Sequence, residues 1–191
     1  MEIKNRYTFF FVGGSCGSFA KGIFYYYFNK SLCLPTILPK INPVTGDCHN
    51  AIGRHQHWIK NLNSSEELVL IDFDHDDKLT IAKMAFYKSM WPLLCKNPNN
   101  IKFMCNGSIA HMDPLDYELL LKTVMENPDL LIFSNWKEQI KTLSPALTIK
   151  FKDIMFGNLN KIIVDFFQTT SEFEVENFIT EYRNINKKYI D

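Results

Sequence analysis

Short apolar runs alternate along the chain with stretches whose apolar residues recur at helical spacing, and this alternation predicts an α/β domain built on a mainly parallel sheet. The expected strands are Tyr7 to Val12, Leu68 to Phe73, Ile101 to Met104, Leu130 to Phe133 and Leu147 to Phe151. Helices are expected from Ser15 to Asn29, Asp76 to Met90, Pro114 to Asn127, Asp153 to Gln168 and Glu174 to Tyr189. Asp113 is placed to cap a helix that has Pro114 at its first position, and Asp153 is placed to cap the helix after its strand. Asn127-Pro128 and Ser144-Pro145 mark exits before the following strands.

Between the first two strands runs a polar, irregular stretch from Leu34 to Arg54 containing Pro35, Pro39, Pro43, Gly46 and Gly53. So long a loop inside a compact domain is usually functional or disordered, and here it lies beside the carboxyl ends of parallel strands, where α/β sheets bind ligands. Phe24, Tyr25, Tyr26, Tyr27 and Phe28 make the first helix apolar on most faces, which favours burial in the core over a stacking platform for a base or sugar. Trp58, Trp91 and Trp136 are the better aromatic candidates for ligand contact, Trp58 above all because it adjoins His57.

With 191 residues, 46% apolar and 22% charged, the chain reads as one globular domain spanning 1–191. A formal net charge of zero gives no electrostatic case for nucleic acid or an anionic membrane surface, so a small ligand is the expected partner. The apolar stretch from Phe9 to Phe28 has the length of a membrane span, but Gly13, Gly14, Ser15, Gly17, Ser18 and Lys21 interrupt it. The five cysteines form no CxxC pair and are odd in number, which points to reduced thiols and a cytoplasmic location rather than a disulfide framework. No signal-peptide shape is evident.

Three motifs carry candidate chemistry. Gly13-Gly14-Ser15-Cys16-Gly17-Ser18 follows the first strand and opens a helix, the arrangement in which backbone N–H groups can surround a phosphate. It lacks the lysine of GxxxxGK[ST] and the spacing of GxGxxG, and a tight turn that binds nothing is its plain alternative. His55-Gln56-His57-Trp58 places two histidines two residues apart, on one side of an extended segment, where imidazole can act as a base near neutral pH. A structural role for the two, or metal binding by His49, His55 and His57 with Asp47 or Cys48, is the alternative. Asp72, Asp74, Asp76 and Asp77 form an acidic turn before the helix carrying Thr80, Lys83 and Lys88; it reads as a solvated helix start or as a Mg²⁺ holder.

Taken together, these motifs resemble the sulfotransferase family, in its small bacterial and viral form. Cys16-Gly17-Ser18 falls on the family's phosphosulfate loop, with Ser15 where its lysine would stand. His55-Gln56-His57 resembles the His-x-His segment of carbohydrate 2-O-sulfotransferases. The acidic turn and Thr80 occupy the place of the 3′-phosphate motif, and Thr148 to Ile154 with the last helix resemble the family's late strand and closing helix. The resemblance implies a P-loop-like, three-layer α/β fold and 3′-phosphoadenosine 5′-phosphosulfate as co-substrate, with no metal required. Sulfonate would pass to a hydroxyl acceptor of carbohydrate type. Gly13, Gly14, Ser15, Cys16, Gly17, Ser18 and Thr80 would bind the nucleotide, and His55 or His57 would deprotonate the acceptor. A non-catalytic nucleotide- or glycan-binding module, and a kinase-like phosphotransferase using Asp72 to Asp77 for Mg²⁺, remain open alternatives.

Overall fold

A computed structural model describes residues 6–49, 54–56, 66–90, 117–128 and 136–190. The expected strands at 101–104 and 130–133 lie outside these residues, as do Asp113, His57, Trp58 and Trp91. The described chain is an α/β domain with helices flanking a parallel sheet, as the alternating pattern predicts. Strands β1 (Tyr7–Phe10), β4 (Arg54–Gln56), β5 (Glu67–Asp72) and β6 (Leu147–Lys150) form that sheet in the order β4-β1-β5-β6. A hairpin of β2 (Lys40–Ile41) and β3 (Cys48–His49) lies in the stretch expected to be irregular.

β1 is central because it pairs on both sides, Phe9 opposite His55 in β4 and opposite Val69 in β5. All four of its residues are buried, as a strand covered on both faces requires. Alternate side chains point to opposite faces. Tyr7 and Phe9 meet helix α1 (Gly17–Ser31) edge-on at Phe24, with ring centroids 4.9 and 5.2 Å apart. Phe10 turns the other way and stacks on Trp136 of α4 (Trp136–Ile140) at 4.9 Å. Trp136 also stacks on Phe73 and is 1% exposed. It is therefore a core residue, which corrects its expected role in ligand contact. The five aromatics of α1 are buried as expected; Phe24 and Phe28 meet Phe167 of α6 (Leu159–Phe167), Tyr26 donates to Glu174 of α7 (Phe173–Asn186), and Tyr25 donates to the Tyr7 carbonyl of β1.

Two expected helices are divided. The one from Asp76 to Met90 becomes a 3₁₀ turn, His75–Asp77, then α2 (Lys78–Ala85), then a wider π-type turn, Phe86–Met90. The one from Asp153 to Gln168 starts earlier, at the end of β6, as α5 (Phe151–Met155), breaks at Gly157, and resumes as α6. The break is fixed from a distance. Arg183 of α7 donates to the carbonyls of Ile154, Asp153 and Gly157 at 2.8, 2.9 and 2.7 Å, satisfying the helix end that the break exposes. Helix α3 (Tyr117–Glu126) falls within its expected bounds. No helix among the described residues is long and apolar enough to cross a membrane.

The strand order positions the site. From β1 the chain passes to β4 on one side and then to β5 on the other, and such a reversal opens a crevice at the carboxyl ends of the strands. The glycine loop leaves β1 at that end.

Candidate functional site

The apolar run of β1 continues through buried Phe11 and Val12 before the chain turns. Ser15 closes the turn by donating twice to the Val12 carbonyl, from its amide at 3.3 Å and from its hydroxyl at 2.7 Å. It is fully buried and its hydroxyl is spent inside the turn. Cys16 is left-handed, with φ 62°, and its carbonyl accepts the amides of Phe19 and Ala20, both at 3.1 Å, to start α1.

The three glycines of the loop have different reasons. A Cβ on Gly17 would lie 2.2 Å from the ring of Phe11, so glycine lets that ring pass beneath the helix start. At Gly14, φ is +81° and a Cβ would lie 2.3 Å from the Ile81 carbonyl oxygen of α2, so the loop and α2 touch backbone to backbone. Gly13 has open space where its side chain would be.

That space belongs to a cavity of about 180 Å³ between the loop, the β2–β3 hairpin and the C-terminal helix. Gly13, Gly14, Cys16, Gly17 and Ser18 line one side; Asp47, Cys48, Lys88 and Tyr182 line the other. Lys88 is the unexpected member. It stands on the π-type turn after α2, is 8% exposed, and its Nζ lies 3.4 Å from both the Gly46 carbonyl and the Tyr182 hydroxyl. The ammonium also sits 5.2 Å from the centre of the Tyr182 ring. Burial lowers the Lys88 pKa, opposed at neutral pH by the charge of Asp47. The thiol of Cys16 is pushed up by burial, and that of Cys48 is pushed up to about 12 by burial, so both are walls of the cavity rather than nucleophiles at neutral pH.

The expected site residues are thus divided. Gly13, Gly14, Cys16, Gly17 and Ser18 share the cavity; Ser15 is behind it; Thr80 is half-buried on α2 and does not line it. The backbone of His55 lies beside Phe9 in β4, a strand whose carboxyl end is at the same end of the sheet as the loop. His57 falls outside the described residues. Lys21 is buried, with its pKa lowered by burial, and does not line the cavity. Lys88 carried no local signal in the sequence, because its place at the site follows from the contact of Ile81 and Ala85 with Gly14, which spacing does not show.

Asp72, Asp74 and Asp77 of the acidic turn pair with lysines. Asp72, 6% exposed, accepts from Lys137 at 2.8 Å, Lys150 at 2.5 Å and the indole of Trp136 at 3.3 Å. Lys152 lies 3.6 Å from Asp74 and 3.8 Å from Asp77, and the Asp77 carboxylate accepts the Asp74 amide at 3.0 Å. Among the described residues, no three His, Cys, Asp or Glu side chains converge as a metal site would require. Burial alone would raise the Asp72 pKa, but the hydrogen bonds from Lys137 and Lys150 outweigh it and the net shift is downward. A lowered carboxylate pKa contributes stability above the unfolded value of about 3.9, and that contribution is lost as pH falls through the folded value. Asp72→Asn is expected to lower stability by about 2 kcal/mol at pH 7, a figure kept below that of a fully buried pair because the lysines are half-exposed. The deficit should shrink towards pH 3, as urea denaturation at the two pH values would show.

No protein-family model matches the sequence, and no curated protein or solved structure is detectably similar to it.

Proposed function

We propose that the chain binds the 5′-phosphate end of an adenine nucleotide, 3′-phosphoadenosine 5′-phosphosulfate or its bisphosphate product, in the cavity at loop 13–18, as a sulfotransferase-like protein. The observation that supports this reading is Lys88. The loop lacks the lysine that usually accompanies such a turn, and a buried ammonium from another element lines the same cavity as Gly13 and the start of α1. An ammonium facing the amides of a helix N-terminus is a setting that favours an oxyanion.

Size supports an anionic group rather than a whole nucleotide inside. About 180 Å³ lies below the range of roughly 300 Å³ and more that encloses a drug-sized ligand. The nucleoside would therefore extend outward along the crevice at the carboxyl ends of β1 and β5. Sulfonate transfer to a hydroxyl acceptor is the reaction assigned to this reading, with His55 or His57 as the base. Pairing of Asp72, Asp74 and Asp77 with lysines weighs against the Mg²⁺-dependent kinase alternative.

The test is calorimetric titration with adenosine 3′,5′-bisphosphate, with ATP and Mg²⁺ as competitor. Micromolar binding of the bisphosphate, weakened about tenfold by Ser18→Ala through loss of one hydrogen bond to a charged group, is the expected result. Absence of bisphosphate binding, or ATP binding that depends on Mg²⁺, overturns the proposal. If binding is present but no acceptor is sulfonated, and His55→Ala and His57→Ala leave binding unchanged, the protein is a binding module on this fold.

A further inference from the structure

We infer that a second cavity, between α6 and α7, is a binding site for a short peptide with both termini free, in which Glu176 takes the ammonium and Arg183 the carboxylate. The inference concerns a different part of the molecule from loop 13–18 and is independent of the oxyanion reading above.

The cavity has a volume of about 330 Å³, and Glu176 and Arg183 both line it. They lie close to two full turns apart on α7, so they share a face at a separation of about 10.5 Å along the axis, beyond the reach at which helical side chains pair. Among the described residues neither makes an ion pair. Each is nevertheless held in place on one side. Tyr27 of α1, fully buried, donates to the Asn160 Oδ1 at 2.8 Å and so fixes that carboxamide. The Asn160 Nδ2 then donates to Ser171 at 2.6 Å and to the Glu176 Oε1 at 3.3 Å, and the Ser171 hydroxyl donates to the same Oε1. The Glu176 Oε2 accepts nothing from the described residues. At the other end, Nε and Nη2 of Arg183 are spent on the carbonyls of Ile154, Asp153 and Gly157, which fixes the guanidinium plane. Both N–H groups of Nη1 are without a partner among the described residues.

The stretch between the two charges offers mostly apolar contact. Ile179 is buried and Val164 half-buried, and the Thr180 hydroxyl is turned back to the Glu176 carbonyl at 2.9 Å. Lys161, also on the wall, is paired with Asp165 at 2.5 Å, so it competes little for either end of a ligand. The cavity therefore presents one acceptor of positive charge and one donor to negative charge, with an apolar floor between them. A ligand that satisfies both carries an ammonium and a carboxylate several ångströms apart. A free α-amino acid holds the two on one carbon and cannot span them. Two or three residues in extended form cover roughly 7–10 Å, which fits the separation once the side chains lean inward. Each terminus then makes a hydrogen bond in which both partners are charged.

Calorimetric titration with the dipeptide Ala-Ala, its N-acetyl derivative and its C-terminal amide tests this. Ala-Ala should bind in the high-micromolar to millimolar range, and acetylation or amidation should each weaken it about tenfold by deleting one charge-assisted hydrogen bond. Glu176→Gln keeps an oxygen for Asn160 and Ser171, so it should hold its urea midpoint. It should bind Ala-Ala about tenfold more weakly than the wild type does and the N-acetyl derivative equally well. No binding of Ala-Ala at millimolar concentration overturns the inference, as does equal binding of the free and capped peptides; both are read on the unaltered protein and do not depend on the variant folding. Competition between Ala-Ala and adenosine 3′,5′-bisphosphate would put the peptide in the loop cavity and overturns it too. Because the two ligands are titrated separately, failure of the bisphosphate leaves this inference standing, and failure of the peptide leaves the oxyanion reading standing.

Discussion

Gly14→Ala is expected to destabilise the fold by about 2–5 kcal/mol, the sum of two independent costs. The first is conformational: φ +81° costs an L-residue roughly 1–2 kcal/mol. The second is steric, because the added methyl would lie 2.3 Å from the Ile81 carbonyl oxygen and 2.8 Å from the Ala85 amide nitrogen. Both are backbone atoms of α2, so no side chain can rotate away and the helix itself has to shift; overpacking of this kind costs roughly 1–3 kcal/mol. Gly13→Ala is the matched control. Its methyl would meet nothing within 4 Å, and the change should stay within about 0.5 kcal/mol. Urea midpoints of the two variants, with unchanged slopes, would decide the matter. Equal midpoints would mean that loop 13–18 does not rest on α2 in solution. Because Lys88 follows Ala85 on the same face, the shift should also weaken anion binding in Gly14→Ala while Gly13→Ala disturbs only the cavity mouth.

This coupling shows which parts of the molecule were legible from sequence. β1, α1, β5 and α7 could be read because each is a continuous apolar or periodic run whose signal is local. The loop was legible as a strand-to-helix turn, and its glycines marked where backbone must approach something. What they approach was not legible. Gly14 faces α2 and Gly17 faces the Phe11 ring, contacts set by packing rather than by spacing. The β2–β3 hairpin is not legible because two-residue strands carry no alternation to detect, so Asp47 and Cys48 read only as alternative metal ligands and not as walls of a cavity facing the loop. The break at Gly157 depends on Arg183, and the burial of Trp136 depends on Phe10 and Phe73; both are long-range. Lys88 shows the same limit at the site itself. A lysine in an amphipathic run ordinarily faces solvent, and only the neighbours supplied by the loop and the C-terminus turn this one inward.

Lys88→Met is expected to separate binding from folding more cleanly than any other substitution. Methionine keeps an unbranched stem in the same space; it removes the hydrogen bonds to the Gly46 carbonyl and the Tyr182 hydroxyl but also a charge that burial disfavours, so stability should fall by only about 1–2 kcal/mol. Affinity for adenosine 3′,5′-bisphosphate should fall about 100-fold, since the ligand's oxygens would enter a site holding Asp47 but no cation. The pH dependence supplies a second signature. Burial lowers the folded-state pKa of Lys88, whereas the unfolded value stays at about 10.4, so between the two the unfolded chain binds more protons at this position and the contribution of Lys88 to ligand-free stability should rise with pH. Over that window the wild type loses the ammonium, and its affinity should fall. Buried tyrosines and cysteines with raised pKa titrate in the same range in both proteins, so the signature is read as a difference: the stability of the wild type relative to Lys88→Met should rise with pH across this window while the affinity of the wild type falls. A folded variant that binds the bisphosphate as tightly as the wild type would reduce Lys88 to a brace between the Gly46 carbonyl and Tyr182, and would leave the loop without the cation on which its function is argued.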